Sequence, residues 1–183
     1  MTNETHRTSE PVAVRIRSER PGEEALVHAI NVSAFGRPDE AEIPDRIRGT
    51  DRWIEGGSLV AVDDSDALVG HLLLSEGDLV AADGSQRRIW MVGPVAVLPA
   101  LQRRGIGSDL MRSAIALAAE RDQPILVLVG HSTYYPRFGF ESARSIGIDP
   151  PEPWSDANWM ALRLPTWTSE LRGVAHFAPA FDE

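Results

Sequence analysis

Residues 95–108 read Val-Ala-Val-Leu-Pro-Ala-Leu-Gln-Arg-Arg-Gly-Ile-Gly-Ser, leaving an apolar run through a proline turn and entering a helical pattern. Two glycines stand beside two arginines where that helix begins. A helix N-terminus carries unpaired N–H groups and about half a positive charge, so it binds phosphate readily. Glycine lets the backbone approach a bulky anion closely. Arg103 and Arg104 add local positive charge to a chain whose formal net charge is -9. Two familiar phosphate motifs are excluded. A P-loop needs its lysine, and all 18 basic residues here are arginine. The dinucleotide fingerprint G-x-G-x-x-G lacks its third glycine, because position 110 is leucine. A bare G-x-G opening a helix serves a structural turn equally well.

Other chemistries are excluded by absence. The chain has no cysteine, which removes thiolate nucleophiles, disulfides and cysteine-ligated metals. Without lysine there is no Schiff-base chemistry. His6, His28, His71 and His176 show no metal-ligand spacing, and His71 reads as a satisfied sheet residue. Asp63, Asp64 and Asp66 read as a solvated turn, since no EF-hand spacing follows. No metal site is expected.

With 183 residues, 43% hydrophobic and 25% charged, the chain is long enough for one core without a disulfide or metal staple. Its acidity argues against nonspecific nucleic-acid binding and favours cationic partners. Its apolar runs are far short of the ~18–20 residues that span a bilayer. Residues 1–10 are polar and aperiodic, so they are expected to be disordered, with residues 11–183 as one domain. They contain no apolar signal core, and a cytoplasmic location is expected.

The elements that would position the candidate residues follow from periodicity. Val12, Val14 and Ile16 alternate with polar or small residues, predicting a strand over 11–17. Leu26, Val27, Ile30 and Ala34 share a face of a helix over 23–35, and a short helix follows over 40–48. Strands are predicted at 59–62 and at 67–75, the latter extending toward 81. Asp83-Gly84 is a hairpin turn into a strand over 88–97. Residues 125–129, five apolar residues in a row, read as a strand buried on both faces. Between them, Ile106, Leu110, Ala114 and Leu117 share a face of a helix over 105–121 that Pro124 terminates. Strand, crossover helix and strand make a βαβ unit, so 90–97 and 125–129 are predicted to be parallel. One more strand is predicted near 159–164. The fold class is mixed α/β.

Taken whole, Gln102-x-x-Gly105-x-Gly107 after Val95-Ala96-Val97-x-Pro99 resembles the acetyl-CoA signature of the GNAT N-acetyltransferase superfamily. Downstream, Tyr134-Tyr135-Pro136-Arg137-Phe138-Gly139-Phe140 resembles the Tyr-x-x-x-Gly-Phe element of those enzymes. With Gly130-His131, Ala34-Phe35-Gly36 and the ending Gly173-Val174-Ala175-His176-Phe177-Ala178-Pro179-Ala180-Phe181, the chain is most similar to the YhbS-like branch, over about residues 11–181.

The resemblance implies a mixed, mostly antiparallel sheet flanked by helices, with acetyl-CoA as co-substrate between two splayed parallel strands, 90–97 and 125–129. Val95, Ala96 and Val97 would pair with the pantetheine arm. The amides of Arg103, Arg104, Gly105, Ile106, Gly107 and Ser108 would hold the pyrophosphate, with Gln102 anchoring the loop. Pro94 cannot donate a ladder bond, so a local break is expected beside it. The implied reaction is attack of a neutral primary amine on the thioester, with a backbone N–H near Val95 polarising the carbonyl. Tyr135, four residues before Gly139, occupies the family position for the acid that protonates the departing thiolate. Ordinary phenol and thiol pKa values of ~10 and ~8.5 require that transfer to accompany C–S cleavage, or Tyr135 to be tuned.

The base is less plain. Many members carry a glutamate on the pantetheine strand, but residues 90–97 contain no carboxylate. Glu76 and Asp78 on the preceding strand, and His131, are candidates to act through water; His131 also reads as a loop or capping histidine. Leu128 stands where many members have asparagine, seven residues before the tyrosine. These departures support an alternative, a CoA-binding sensor or assembly domain with little or no catalysis. A nucleotide-binding domain is a third reading, disfavoured by the absent glycine. The acceptor is expected to be a small-molecule or peptide amine, with Trp90 near enough to line its pocket. The chain is expected to act as a monomer or homodimer.

Overall fold

Long apolar stretches, buried on both faces in β2 and β3, produce an antiparallel meander, β1 (Arg15–Ser18), β2 (Trp53–Val62), β3 (Leu68–Val80) and β4 (Gln86–Val97), with α1 (Glu24–Phe35) and α2 (Pro38–Ile47) inserted after β1. From β4 the chain passes through α3 (Ile106–Glu120) to β5 (Ile125–Val129). It finishes through β6 (Glu141–Ser142), β7 (Ile148–Asp149), β8 (Trp159–Arg163) and β9 (Gly173–His176). The computed structural model describes residues 12–181; the disorder expected for residues 1–10 lies outside them. The sheet order is β1-β2-β3-β4-β5-β8-β6, with β9 pairing both β3 and β7. Among the described residues no helix is long and apolar enough to cross a membrane.

Among the differences from expectation, two shifted strand starts and one unpredicted strand have a tertiary reason. β1 begins late because its lead-in crosses to the loop before α3, where the Val12 amide donates to the Arg104 carbonyl at 3.3 Å. β2 begins early, since a register shift between Trp53 and Ser58 absorbs Gly56 and Gly57. β9, too short to show alternation, pairs with β3 at Asp78, Leu79 and Val80. The pairing of β2 with β3 ends at Ser75, which leaves that edge open for it.

α3 covers one face of the sheet, its Ile106, Leu110, Met111 and Ala114 packing with Leu72, Leu74, Trp90 and Val92. Burial of each such aliphatic side chain contributes roughly 1.5–3 kcal/mol. On the opposite face Val27 of α1 meets Val60 and Val62. Ile43 and Ile47 of α2 meet Leu73. The C-terminal segment covers the rest of that face, packing Ile146, Ile148, Trp159 and Leu171 with Ile89, Met91, Ile125 and Val127. Trp159 is fully buried, and its indole N–H is satisfied by the Ile148 carbonyl at 2.9 Å.

The parallel pair predicted from the βαβ unit is present, but β4 and β5 are matched only at Trp90 with Leu126 and Met91 with Val127. On its other side, β4 pairs Val92 with Leu74 and then Val95 with Leu72, so Gly93 and Pro94 together oppose Leu73. That is a β-bulge, and it bends the strand that carries it. Beyond Met91 β4 parts from β5, and a cleft opens between them.

Candidate active site

The β4 wall of this cleft is an exposed backbone edge. The Leu98 amide donates to the Val69 carbonyl at 3.0 Å, toward β3. Backbone direction alternates along a strand, so Ala96 also faces β3, while the N–H and C=O of Val95 and Val97 face the cleft. In keeping with this, the Gln102 side-chain amide donates to the outward Val97 carbonyl at 3.1 Å and ties the loop to the strand.

The floor is the start of α3. Gly105 takes φ +95°, a left-handed conformation that glycine adopts without a steric penalty, and no side chain caps the helix. The Ser108 and Asp109 amides bond the Gly105 carbonyl at 2.8 and 3.1 Å. The amides before them have no intrahelical acceptor, since a helix leaves its first N–H groups orphaned. Gly105, Gly107 and Ser108 line a cavity of about 600 Å³ that Arg103 and Arg137 also border. A β-carbon on Gly107 would stand 3.0 Å from the Tyr134 hydroxyl. That hydroxyl lies 3.4 Å from the Ser108 hydroxyl, and the Arg137 guanidinium stacks over the Tyr134 ring at 4.7 Å. Uncapped amides, a helix N-terminus and two guanidinium groups are the donor set that fits a diphosphate.

The β5 wall is made by Gly130, His131 and Tyr135. Tyr135 packs edge-on against Tyr134 and Phe140, with ring centroids 5.0 and 5.9 Å away. Burial pushes its phenol pKa up to about 12, and Tyr134 adds to the rise. A second cavity, of about 450 Å³, opens on the far side of Tyr135, bounded by Phe35 and Glu40 from the helices and Trp154, Phe177 and Phe181 from the C-terminal segment. Val95, His131 and Tyr135 line both cavities.

The tertiary structure thus gathers Val95, Val97, Gln102, Arg103, Gly105, Gly107, Ser108, His131 and Tyr135 at one cavity. Ala96 and Ile106 have buried side chains and offer only backbone. Arg104 does not line the cavity, and its carbonyl is engaged by Val12. Glu76 is not brought to either cavity. It belongs to an ion-pair cluster, 3.5 Å from Arg88, and lies four residues along β3 from Leu72, the partner of Val95. That is roughly 13 Å at ~3.3 Å per residue. Asp78 pairs with Arg52 at 2.7 Å, which holds its carboxyl below the usual range. Trp90 does not wall an acceptor pocket: it is buried against α3 at a position where β5 still pairs with β4. Leu128 is core. His71 is a satisfied sheet residue as expected, bonded to Asn31 and Ser58 at 3.0 Å each.

Sequence reasoning assigned no role to Glu40 or Arg137, nor to Phe35, Phe177 and Phe181. The segments 34–36 and 173–181 carried the signal for Phe35, Phe177 and Phe181, as similarity without a role. Among the described residues no group of three or more His, Asp or Glu is arranged to hold a metal ion.

Known proteins share this architecture. A family model described as an acetyltransferase (GNAT) domain matches residues 15–143. The uncharacterized N-acetyltransferase YjhQ of Escherichia coli strain K12 is 29% identical over 151 residues, covering 80% of this chain and 82% of YjhQ. A GNAT family acetyltransferase from Brucella melitensis, solved in complex with acetyl-CoA, superposes with a TM-score of 0.75 at 28% identity over 93% of this chain and 99% of that one. The GNAT family protein YhbS of Escherichia coli, solved in complex with CoA, shares the fold at a TM-score of 0.84, with 22% identity and 97% of both chains covered. Since the family model spans well over half of its length, the chain belongs to the GNAT acetyltransferase family.

Proposed function

We propose that this protein transfers an acetyl group from acetyl-CoA to a primary amine by direct attack. The observation that carries the reading is the junction of the two cavities at Val95, His131 and Tyr135, one cavity bearing uncapped helix amides and the other a carboxylate among apolar walls. The relatives solved with CoA and acetyl-CoA support it.

Bound acetyl-CoA supplies the activated thioester. The amides of residues 103–108, with the loop tied back by Gln102, bind its pyrophosphate, and the outward edge at Val95 and Val97 pairs with the pantetheine arm. The Val95 N–H donates to the carbonyl oxygen as negative charge develops there. As the N–C bond forms and the C–S bond breaks, His131 on the rim accepts the amine proton and Tyr135 donates its own to sulfur. With a pKa of about 12 the Tyr135 phenol is a far weaker acid than a thiol at ~8.5, so that donation proceeds in concert with C–S cleavage. Solvent then returns the proton from His131 to Tyr135.

Incubation with acetyl-CoA and a panel of small-molecule and peptide amines, followed by free-thiol release, tests the reaction. Release above hydrolysis supports it, and none across the panel overturns it. The second reading, a CoA-binding domain without turnover, is favoured by the carboxylate-free β4 and by Leu128. Tight acetyl-CoA binding by calorimetry with no acyl transfer would establish it.

A further inference from the structure

We infer that the acceptor is an arylalkyl primary amine, its ring held by the second cavity and its nitrogen by Glu40; this rests on the acetyltransferase reading above. At about 450 Å³ the cavity suits a small molecule rather than a protein chain. Phe35, at the end of α1, faces across it toward the C-terminal trio Trp154, Phe177 and Phe181. Within that trio, ring centroids lie 5.8 Å apart for Trp154–Phe177 and 4.7 Å for Phe177–Phe181. These rings are half-buried. Such walls gain most from an aromatic guest, through area buried and ring–ring geometry.

Charge narrows the class further. Glu40 is the one carboxylate among the residues bounding the cavity, and no arginine borders it. An amino acid acceptor would bring a carboxylate with no cation to receive it, and a polyamine would bring several ammonium groups to a single acid. Within α2, Glu40 is ion-paired to Arg37, and its side chain is 31% exposed where it borders the cavity. The incoming ammonium N–H donates to this carboxylate, and the amine gives one proton to solvent before its lone pair attacks the thioester. Val95 and His131 border the same cavity, so an amine seated there adjoins the proposed thioester position.

The test compares kcat/KM for 2-phenylethylamine and tryptamine with ethylamine, spermidine and phenylalanine, using the full chain and acetyl-CoA. The arylalkyl amines are expected to exceed ethylamine and phenylalanine by about 100-fold. Glu40→Gln is expected to raise KM for 2-phenylethylamine about tenfold with acetyl-CoA affinity unchanged. Trp154→Ala is expected to erase most of the preference for ring-bearing amines. Better turnover of ethylamine, spermidine or phenylalanine, or an unchanged KM in Glu40→Gln, overturns this inference and leaves the acetyltransferase reading standing. If no amine is acetylated, that reading fails. Calorimetric titration of 2-phenylethylamine into the CoA-loaded protein then decides the inference alone: binding weakened by Glu40→Gln supports it, and no binding overturns it.

Discussion

The Tyr135 ring rests on Gly130 so closely that a β-carbon there would stand 2.1 Å from Tyr135 Cε2 and 2.8 Å from Cδ2. No side chain fits at that position without moving the ring. Glycine at the end of β5 is therefore what lets Tyr135 reach the junction of the two cavities.

Gly130→Ala displaces the ring while leaving the α3 loop untouched. Misplacement of a reacting group by about 1 Å costs on the order of 100-fold in rate. We expect kcat to fall by that factor, stability to drop by about 1–3 kcal/mol from overpacking, and acetyl-CoA affinity to hold. Steady-state kinetics and calorimetry check the split.

Tyr135→Phe removes only the hydroxyl. We expect kcat to fall by roughly 10²–10⁴-fold with cofactor affinity nearly intact. Lost affinity instead would make Tyr135 a packing residue. Because its folded pKa is raised to about 12, the phenol stays protonated past the ordinary ~10, and the kcat profile should show no Tyr135-dependent decline below about pH 11. The stability linked to this group is complete below pH ~10 and is lost as pH rises toward 12.

Gly107→Leu projects a side chain toward the Tyr134 hydroxyl and Val97, into the cavity over α3. CoA affinity measured by calorimetry should fall at least about tenfold, or ~1.4 kcal/mol. The thermal midpoint should stay within a few degrees, because the cavity is open to solvent. Unchanged affinity would remove the phosphate role from the start of α3.

His71 carries a separate pH signature. It is fully buried, and that burial, with Arg48 nearby, depresses its pKa to about 3. The Asn31 side-chain amide donates to Nδ1, which leaves the proton on Nε2 for Ser58. A depressed histidine pKa means the unfolded chain binds the proton more tightly, so stability is full above pH ~6.5 and falls as pH drops toward 3. Urea titrations between pH 6.5 and 4.5 should show a slope of up to about 1.4 kcal/mol per pH unit that His71→Gln abolishes. An equal slope in the variant would refute the assignment.

The βαβ unit, the turn at Pro99 and the uncapped, glycine-bearing start of α3 were legible from the amino-acid string, because periodicity, proline and helix-end chemistry act within a few residues. So was the break beside Pro94, since a missing N–H is a property of the residue itself. The position of Tyr135 relative to a CoA-like signature was legible only through family resemblance. The contact with Gly130 that makes that position possible was not.

What the sequence alone determined is the order of elements from β1 to β5 and the polar character of the start of α3, both set by local backbone geometry. The tertiary structure decided where along β4 the cleft opens. That choice takes Trp90 out of the site and strands Glu76 about four residues away, because strand alternation assigns a side but not the point where two strands part. It also decided that Glu40, Phe35 and the C-terminal rings face one cavity. The helix pair Phe35 and Glu40 is separated from those rings by more than a hundred positions, and only packing across the sheet brings the two groups together.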